Sequence, residues 1–172
     1  MRLLFQDETK LCLCPDPGST YHPVGRQTRV PSPGRSTARW LFGTIDVASG
    51  EGLYQVFEHA TTAEFLRHLD DLLQLFPNER LLLVTDQASY HDSDAVRDFR
   101  AHVGDRLEFV PLPTHSPHLN AIERLWGYVR DHVTRNTFWG TLARQCQAVI
   151  GFLDALDFAT FQTLMSSSPC LR

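Results

Sequence analysis

The amino-acid sequence predicts an α/β fold in a single domain. The first sixty residues hold strand-like segments separated by turn-forming residues, which is typical of an antiparallel meander. After them, short apolar segments alternate with segments of helical periodicity, which favours parallel strands with helices on both faces of the sheet. A chain of 172 residues is long enough to bury such a core. We expect the domain to span residues 1–157 and the Ser-rich residues 158–172 to form a loose tail.

The early strands are predicted from alternation and turns. Residues 3–6 and 10–14 are strand-like, and the sequence leaves open whether Asp7-Glu8-Thr9 interrupts one strand or lies inside it. Residues 40–47 and 53–58 flank a Gly-containing turn and predict a hairpin.

Helices and strands then alternate. Thr61 or Thr62 can cap a helix that runs to about Phe76. Residues 81–84 form an apolar run typical of a central strand, and Asp86 follows at its carboxyl end, where open α/β sheets place their chemistry. A second helix to about residue 101 and a strand at residues 107–110 come next.

A Pro-rich connector then leads into an amphipathic helix. Ser116 is a good N-cap, and Pro117 suits the first helical position, so we expect one helix from Pro117 to about Arg135. Glu123 lies at the edge of its apolar stripe, either as a solvated surface charge or as a placed ligand. A last long helix is expected from Thr141 to about Leu156.

Composition and charge limit the classes of function that the chain can have. The net charge of −4 argues against a free-standing domain that binds nucleic acid tightly. A Pro- and Gly-rich segment is nevertheless basic, and it is either a solvated loop or an arm that contacts DNA phosphates. Its basic residues are Arg26, Arg29, Arg35 and Arg39. The four cysteines lack zinc-finger spacing and are interpreted as reduced thiols. No segment has the pattern of a signal peptide or a membrane span, which predicts a cytoplasmic protein.

Three acids occupy suggestive positions, namely Asp7, Asp86 and Glu123. Carboxylate oxygens are the ligands that Mg²⁺ and Mn²⁺ prefer. Two such ions, bridged by carboxylates, can activate a water or a 3′-hydroxyl for attack on a phosphodiester. Three acids among twenty are a weak signal by themselves, and Asp86 is the strongest of them because a carboxylate that ends an apolar strand needs partners or a metal.

Three blocks of sequence carry a resemblance. They are Asp7-Glu8, then DQASYH from Asp86 to His91, then PTHSPHLNAIERLW from Pro113 to Trp126. In this order and spacing they resemble the catalytic domain of the IS630/Tc1/mariner superfamily of transposases, which are DDE recombinases. The similarity runs from about Phe5 to about Leu156.

The resemblance implies a ribonuclease H-like fold and a metal-dependent reaction. Asp7, Asp86 and Glu123 would hold two Mg²⁺ or Mn²⁺ ions. A second group of residues would support these ligands or contact DNA, namely Glu8, His91, Asn120 and Arg130. The implied reaction is cleavage at transposon ends and transfer of the 3′ end into target DNA, usually at a TA dinucleotide. The implied partners are both DNAs and a second copy of the chain, with association with the nucleoid when DNA is bound.

The sequence also departs from the family pattern. Gln87 stands where the family usually has Asn, His115 where it has Tyr, and Ala121 where it has Pro. The chain begins at the first catalytic strand, without the helix-turn-helix region that reads transposon ends, so we expect a split-frame product, a relic or an excised domain. Two other functions stay open, which are a truncated non-catalytic fragment that regulates transposition and a metal-dependent nuclease on the same fold.

Overall fold

The structure is a computed structural model that describes residues 1–19, 21, 23–25, 29–34, 37–114 and 116–166. Its centre is a five-stranded mixed sheet. The strands are β1 (Arg2–Cys12), β2 (Ala38–Asp46), β3 (Gly52–Phe57), β4 (Leu81–Thr85) and β5 (Leu107–Pro111), in the spatial order β3-β2-β1-β4-β5. The first three pair antiparallel, and β4 and β5 run parallel to β1, so the predicted meander and parallel strands are confirmed.

Strand β1 is continuous through Asp7-Glu8-Thr9, which settles the question that the sequence left open. As the central strand it is covered on both faces, and its side chains alternate between two cores. Leu4 belongs to the core on one face, whereas Phe5 and Leu11 belong to the core on the other. Asp7 and Glu8 therefore lie on opposite faces of the sheet.

The helices α1 (Thr62–Leu75) and α2 (Asp94–Val103) cover the face that carries Leu4. Thr61 and Ser93 are their N-caps, and Thr61 is one of the two caps predicted for α1. The apolar side of α1 is buried as the periodicity requires, and it also buries His68, which the sequence analysis did not single out.

The opposite face is covered by α3 (Ile122–Val129), α4 (Leu142–Asp154) and α5 (Phe158–Ser166). The single helix expected from Pro117 to about Arg135 was wrong. Pro117–Leu119 is a separate 3₁₀ turn, and a π-helical segment at Arg130–Thr134 follows α3. The chain is extended at Asn120, whose side-chain amide donates to the backbone oxygen of Gln6 at 2.9 Å, and this bond replaces a continuous helical path.

The expected loose tail was also wrong over residues 158–166. These residues form α5 because Phe161 and Met165 are buried in the core beneath the sheet. Residues 167–172 of that tail lie outside the described residues. In the described part of the chain, no single helix is long and apolar enough for a membrane span, and α4 with α5 reaches that length only when counted together across a 90° bend.

Candidate active site

Asp7 is held in the middle of β1 by an aromatic ring on α3. The indole Nε1 of Trp126 donates to its Oδ2 at 3.1 Å. The ring can lie against the sheet because Gly43 of β2 pairs with Asp7, and a Cβ on Gly43 would stand 2.4 Å from the ring. Trp126 is 1% exposed and belongs to the core, and its indole N–H positions the acid as well.

Asp7, Asp86 and Glu123 line one cavity of about 380 Å³. Asp86 follows β4 at its carboxyl end, and Glu123 lies in the first turn of α3. Burial, followed by the charges of Glu123, Glu8 and Asp86, raises the pKa of Asp7 to about 8. The three acids therefore form one electrostatic cluster in which a full complement of negative charge is unfavourable.

Asp86 is fixed by hydrogen bonds at the start of the loop after β4. The ring Nδ1 of His91 lies 3.0 Å from its Oδ1, and the backbone N–H of Ala88 donates to the same oxygen at 3.0 Å. The hydrogen bond from His91 is the main cause that lowers the pKa of Asp86, and it outweighs burial. Asp86 is therefore a carboxylate at neutral pH, unlike Asp7.

His91 connects the two faces of the sheet. Its Nδ1 lies 3.0 Å from the Oδ1 of Asp86, and its Nε2 lies 3.2 Å from the Oε1 of Glu8. Burial alone would lower the pKa of His91, but the hydrogen bonds to Asp86 and Glu8 raise it to about 9. An imidazolium therefore donates to both carboxylates.

Glu8 is buried, and its carboxylate has three partners. Besides His91, the amide of Gln6 donates to it at 2.7 Å, and the hydroxyl of Tyr90 hydrogen-bonds to it. Burial, together with the charge of Glu8, raises the pKa of Tyr90. Glu8 is thus placed to support His91 and, through it, Asp86 rather than to reach a DNA surface. The role of Tyr90 was not predicted from the sequence, although its place beside His91 in the DQASYH block was a signal.

Asn120 reaches the same cavity from the connector. Its side chain is 4% exposed, its Nδ2 bonds Gln6, and its Oδ1 is buried without a hydrogen-bond partner. A buried amide oxygen of this kind is costly unless a further donor or a cation approaches it. The amide of Gln87, one of the departures from the family pattern, donates to the backbone oxygen of Leu112 at 2.7 Å and ties the two loops that border the cavity.

Other predicted residues lie elsewhere. Arg130 begins the π-helical segment and lines a different cavity, beside Cys12 and Gln145. Arg39 lies in β2 rather than in a loop, and its guanidinium pairs with Glu58 at 2.8 Å. Arg29 is exposed, and the structure does not bring it to the acids. Arg26, Arg35 and His115 lie outside the described residues.

The donor set suits a hard divalent cation. The cavity is lined by carboxylates from three separate elements and by Asn120, whose buried amide oxygen has no hydrogen-bond partner among the described residues. Within the residues that the structure describes, no group of three or more His, Cys, Asp or Glu side chains stands close enough together to hold a metal ion.

A mixed sheet in this order, with acids from β1, the end of β4 and α3 at one cavity, defines a ribonuclease H-like domain. The family model described as "DDE superfamily endonuclease" matches residues 2–144, and the chain belongs to this superfamily. The family model confirms the resemblance to DDE transposases, and an IS630 protein and Mos1 transposase are among the proteins to which the chain is similar.

Two curated relatives are bacterial. The chain is 23% identical over 156 residues to the "Insertion element IS630 uncharacterized 39 kDa protein" of Shigella sonnei, a match that covers 90% of this chain and 45% of that protein. It is 26% identical over 98 residues to "Uncharacterized protein y4pE/y4sA" of Sinorhizobium fredii, which covers 56% of this chain and 69% of that protein.

Solved structures of Mos1 transposase share the fold. The "Mos1 transposase paired-end complex with left transposon end" matches with a TM-score of 0.74 at 18% identity and covers 98% of this chain and 52% of that one. The "catalytic domain of Mos1 mariner transposase" matches with a TM-score of 0.64 at 16% identity and covers 98% and 77%. The chain therefore spans about half the length of the IS630 protein and of the full-length Mos1 chains that it matches, and the ribonuclease H-like fold predicted from the sequence is confirmed.

Proposed function

We propose that this chain is the catalytic domain of an IS630-type DNA transposase, which cuts DNA strands at the ends of an insertion element and transfers them to a target. The observation that carries the proposal is the cavity shared by Asp7, Asp86 and Glu123, with the pKa of Asp7 raised to about 8 by burial and by the other acids. Clustered carboxylates of this kind favour binding of a multivalent cation. Similarity to Mos1 transposase, solved in a "mariner Mos1 paired end complex with Mg", supports the choice of cation.

In this proposal Asp7, Asp86 and Glu123 hold two Mg²⁺ or Mn²⁺ ions. When bound, such ions supply Lewis acid stabilisation of a phosphodiester and activation of a water or a 3′-hydroxyl. The chain's own residues set the geometry: Trp126 fixes Asp7, and His91 and Ala88 fix Asp86. Asn120 also lines this cavity, and its buried amide oxygen has no partner among the residues that the structure describes.

The two adjacent acids of β1 have different roles. Asp7 faces the cavity, while Glu8 lies on the other face and anchors His91. Removal of Glu8 should therefore weaken the site without removing a ligand, because His91 would lose the partner that holds its ring towards Asp86.

The proposed partners are transposon-end DNA and a TA-containing target. Mos1 transposase is described in complex with a left transposon end and in a strand transfer complex, which supports DNA as the substrate. We further propose that the active species is a dimer on DNA, and that a DNA-reading segment outside this sequence supplies recognition of the ends. The short span of the chain relative to the IS630 protein supports that last point.

Cleavage of supercoiled plasmid in Mn²⁺ tests the proposal. We expect the wild-type chain to nick the plasmid and Asp86→Asn to lower the rate by a factor of at least about 10³, because a metal ligand and its charge are lost. Glu108→Gln is the control, since that exposed acid pairs only with Arg80 at the edge of the sheet. Full activity of Asp86→Asn, with its fold intact by circular dichroism, would falsify the site assignment.

Calorimetry separates a failed metal site from a failed DNA interaction. Mn²⁺ should bind the wild type and bind Glu123→Gln at least about tenfold more weakly. Binding should also tighten as pH rises through about 8, because the proton on Asp7 must leave before the ion can bind. No heat of binding to the folded wild type would instead favour the non-catalytic regulatory fragment.

Strand joining separates a transposase from a nuclease on the same fold. A labelled duplex with a recessed, pre-cleaved end is incubated with a second duplex that contains TA. A joined product supports transposition, whereas cleavage without any joined product supports the nuclease.

A further inference from the structure

A second, larger cavity of about 740 Å³ opens on the other side of Asp86, between α2 and β5. Its wall nearest the acids is the segment Asp86–Ala88, which also lines the acid cavity. The other wall carries Arg100 from α2 and Phe109 from β5. The two cavities therefore adjoin along one short segment at the carboxyl ends of β4 and β5.

Arg100 is the distinctive residue of this second cavity. Its guanidinium lies over the ring of Phe109, 4.6 Å from the ring centre, and its Nε is buried without a hydrogen-bond partner. No carboxylate of the described residues forms an ion pair with it. The position of the guanidinium is thus set by a neutral ring, and its charge is not cancelled by an acid.

Other arginines nearby are satisfied within the protein. Arg97, one turn earlier on α2, pairs with Asp92 at 3.1 Å and with Asp94 at 2.6 Å. Arg106 donates to the backbone oxygens of Leu73 and Phe76. The acids around the second cavity are also engaged, since Asp92 pairs with Arg97 and Asp86 with His91. Arg100 is therefore left with a planar donor fork that faces a cavity large enough for a nucleotide.

We propose that this second cavity binds a backbone phosphate of the DNA strand whose scissile phosphodiester lies at the acids, with Arg100 as the phosphate ligand and Phe109 as the support of its guanidinium plane. This inference rests on the proposed function and adds the path of the substrate to it. The terminal nitrogens of a guanidinium can donate to two phosphate oxygens at once, while the ring of Phe109 holds the guanidinium plane in place.

The two cavities share the wall Asp86–Ala88. A single strand whose scissile phosphodiester lies at the acids would therefore pass next to the cavity that holds Arg100.

Binding of a labelled single-stranded dT8 oligonucleotide to the full chain tests the inference, with EDTA present so that the result does not depend on metal. Arg100→Gln should raise the Kd about five- to tenfold and lower the slope of log K against log salt concentration by about 0.7, which is the loss of one phosphate contact. Arg100→Lys should keep most of the slope but not the affinity, because a lysine keeps the charge without the fork. Arg97→Gln is the matched control on the same helix and should leave both quantities unchanged.

The NMR signals of the Arg100 Nε–H and the Phe109 backbone amide give the site of binding. They should shift on addition of dT8 and should stay still on addition of inorganic phosphate at the same phosphate concentration. Shifts of equal size with inorganic phosphate would assign a general anion site and overturn the DNA assignment. No shift with dT8, or equal loss of affinity in Arg97→Gln and Arg100→Gln, would also overturn it. Plasmid nicking that depends on Asp86 would still stand in those cases, so this inference can fail while the proposed function holds.

Discussion

Two histidines are buried on the same face of the sheet, and the groups that contact each ring decide the direction in which its pKa shifts. His68 on α1 packs against Phe42, and His91 after β4 packs against Phe65. Both are almost fully buried. Both ring nitrogens of His68 contact neutral groups, with Nε2 2.8 Å from the Thr44 hydroxyl and Nδ1 2.6 Å from the Gln55 amide oxygen.

The two environments shift the pKa in opposite directions. Burial lowers the pKa of His68 to about 3, against a small opposing effect of Asp71. The same burial acts on His91, but the carboxylates of Asp86 and Glu8 reverse it and raise its pKa to about 9. At neutral pH one ring is therefore an uncharged part of the core and the other is the cation of an acid cluster. The difference separates a residue that stabilises the fold from one that positions the site.

The largest expected effect comes from His68. His68→Ala should lower the free energy of unfolding by about 3–5 kcal/mol, because it leaves a cavity and deprives Thr44 and Gln55 of their partner. Urea unfolding at pH 7 measures this, with the exposed His59→Ala as the control. A loss similar to that of His59→Ala would contradict the structural role given to His68.

The second effect is the pH dependence of stability through His91. Its pKa of about 9 in the folded chain lies above the ordinary value of 6.5, so its contribution is fully present below pH 6.5 and is lost as pH rises to about 9. We expect the wild type to lose about 2 kcal/mol more than His91→Gln over this range. Unfolding curves at pH 6, 7.5 and 9 test this, and parallel profiles of the two proteins would mean that His91 is neutral in the folded chain.

A smaller effect is expected when His68 is given a carboxylate partner. Gln55→Glu places an acid at the Nδ1 of His68, beside Asp71, whose Oδ2 now accepts from Gln55 at 2.6 Å. The pKa of His68 should rise by at least about 1 unit, since a nearby negative charge favours the imidazolium. NMR titration of the ring protons measures the shift, and Gln74→Glu, at the exposed end of α1, is the control. An unchanged pKa would show that burial rather than partner charge governs this position.

Local patterns predicted the fold better than the site. The unbroken apolar run at residues 81–84, the hairpin turn and the cap Thr61 each act over a few residues, and each was found where expected. The break at Asn120 was not predictable in this way, because it depends on a hydrogen bond to Gln6, 114 positions away.

The acids themselves came from the resemblance, while their surroundings came only from the structure. Nothing in the spacing of Trp126 along its helix shows that its N–H meets Asp7, or that Gly43 makes room for the ring. His68 looked like any other residue of α1, because periodicity shows that a position is buried without showing what it meets there. A role that depends on contacts across the sheet can be assigned only when the structure shows which residues of different elements lie side by side.

The alternation of β1 also limits how this chain can vary in length. Asp7 and Glu8 lie on opposite faces of the sheet. Nine residue pairs between β1 and β2 fix the register from Leu4 to Cys12. A one-residue deletion between Leu4 and Asp7 would turn every later side chain of the strand to the other face, so the acid at the cavity and the anchor of His91 would be lost in a single event. In homologous genes, insertions and deletions should therefore be found mainly in the turn between β2 and β3. Selection should remove them from the first eight codons of the domain.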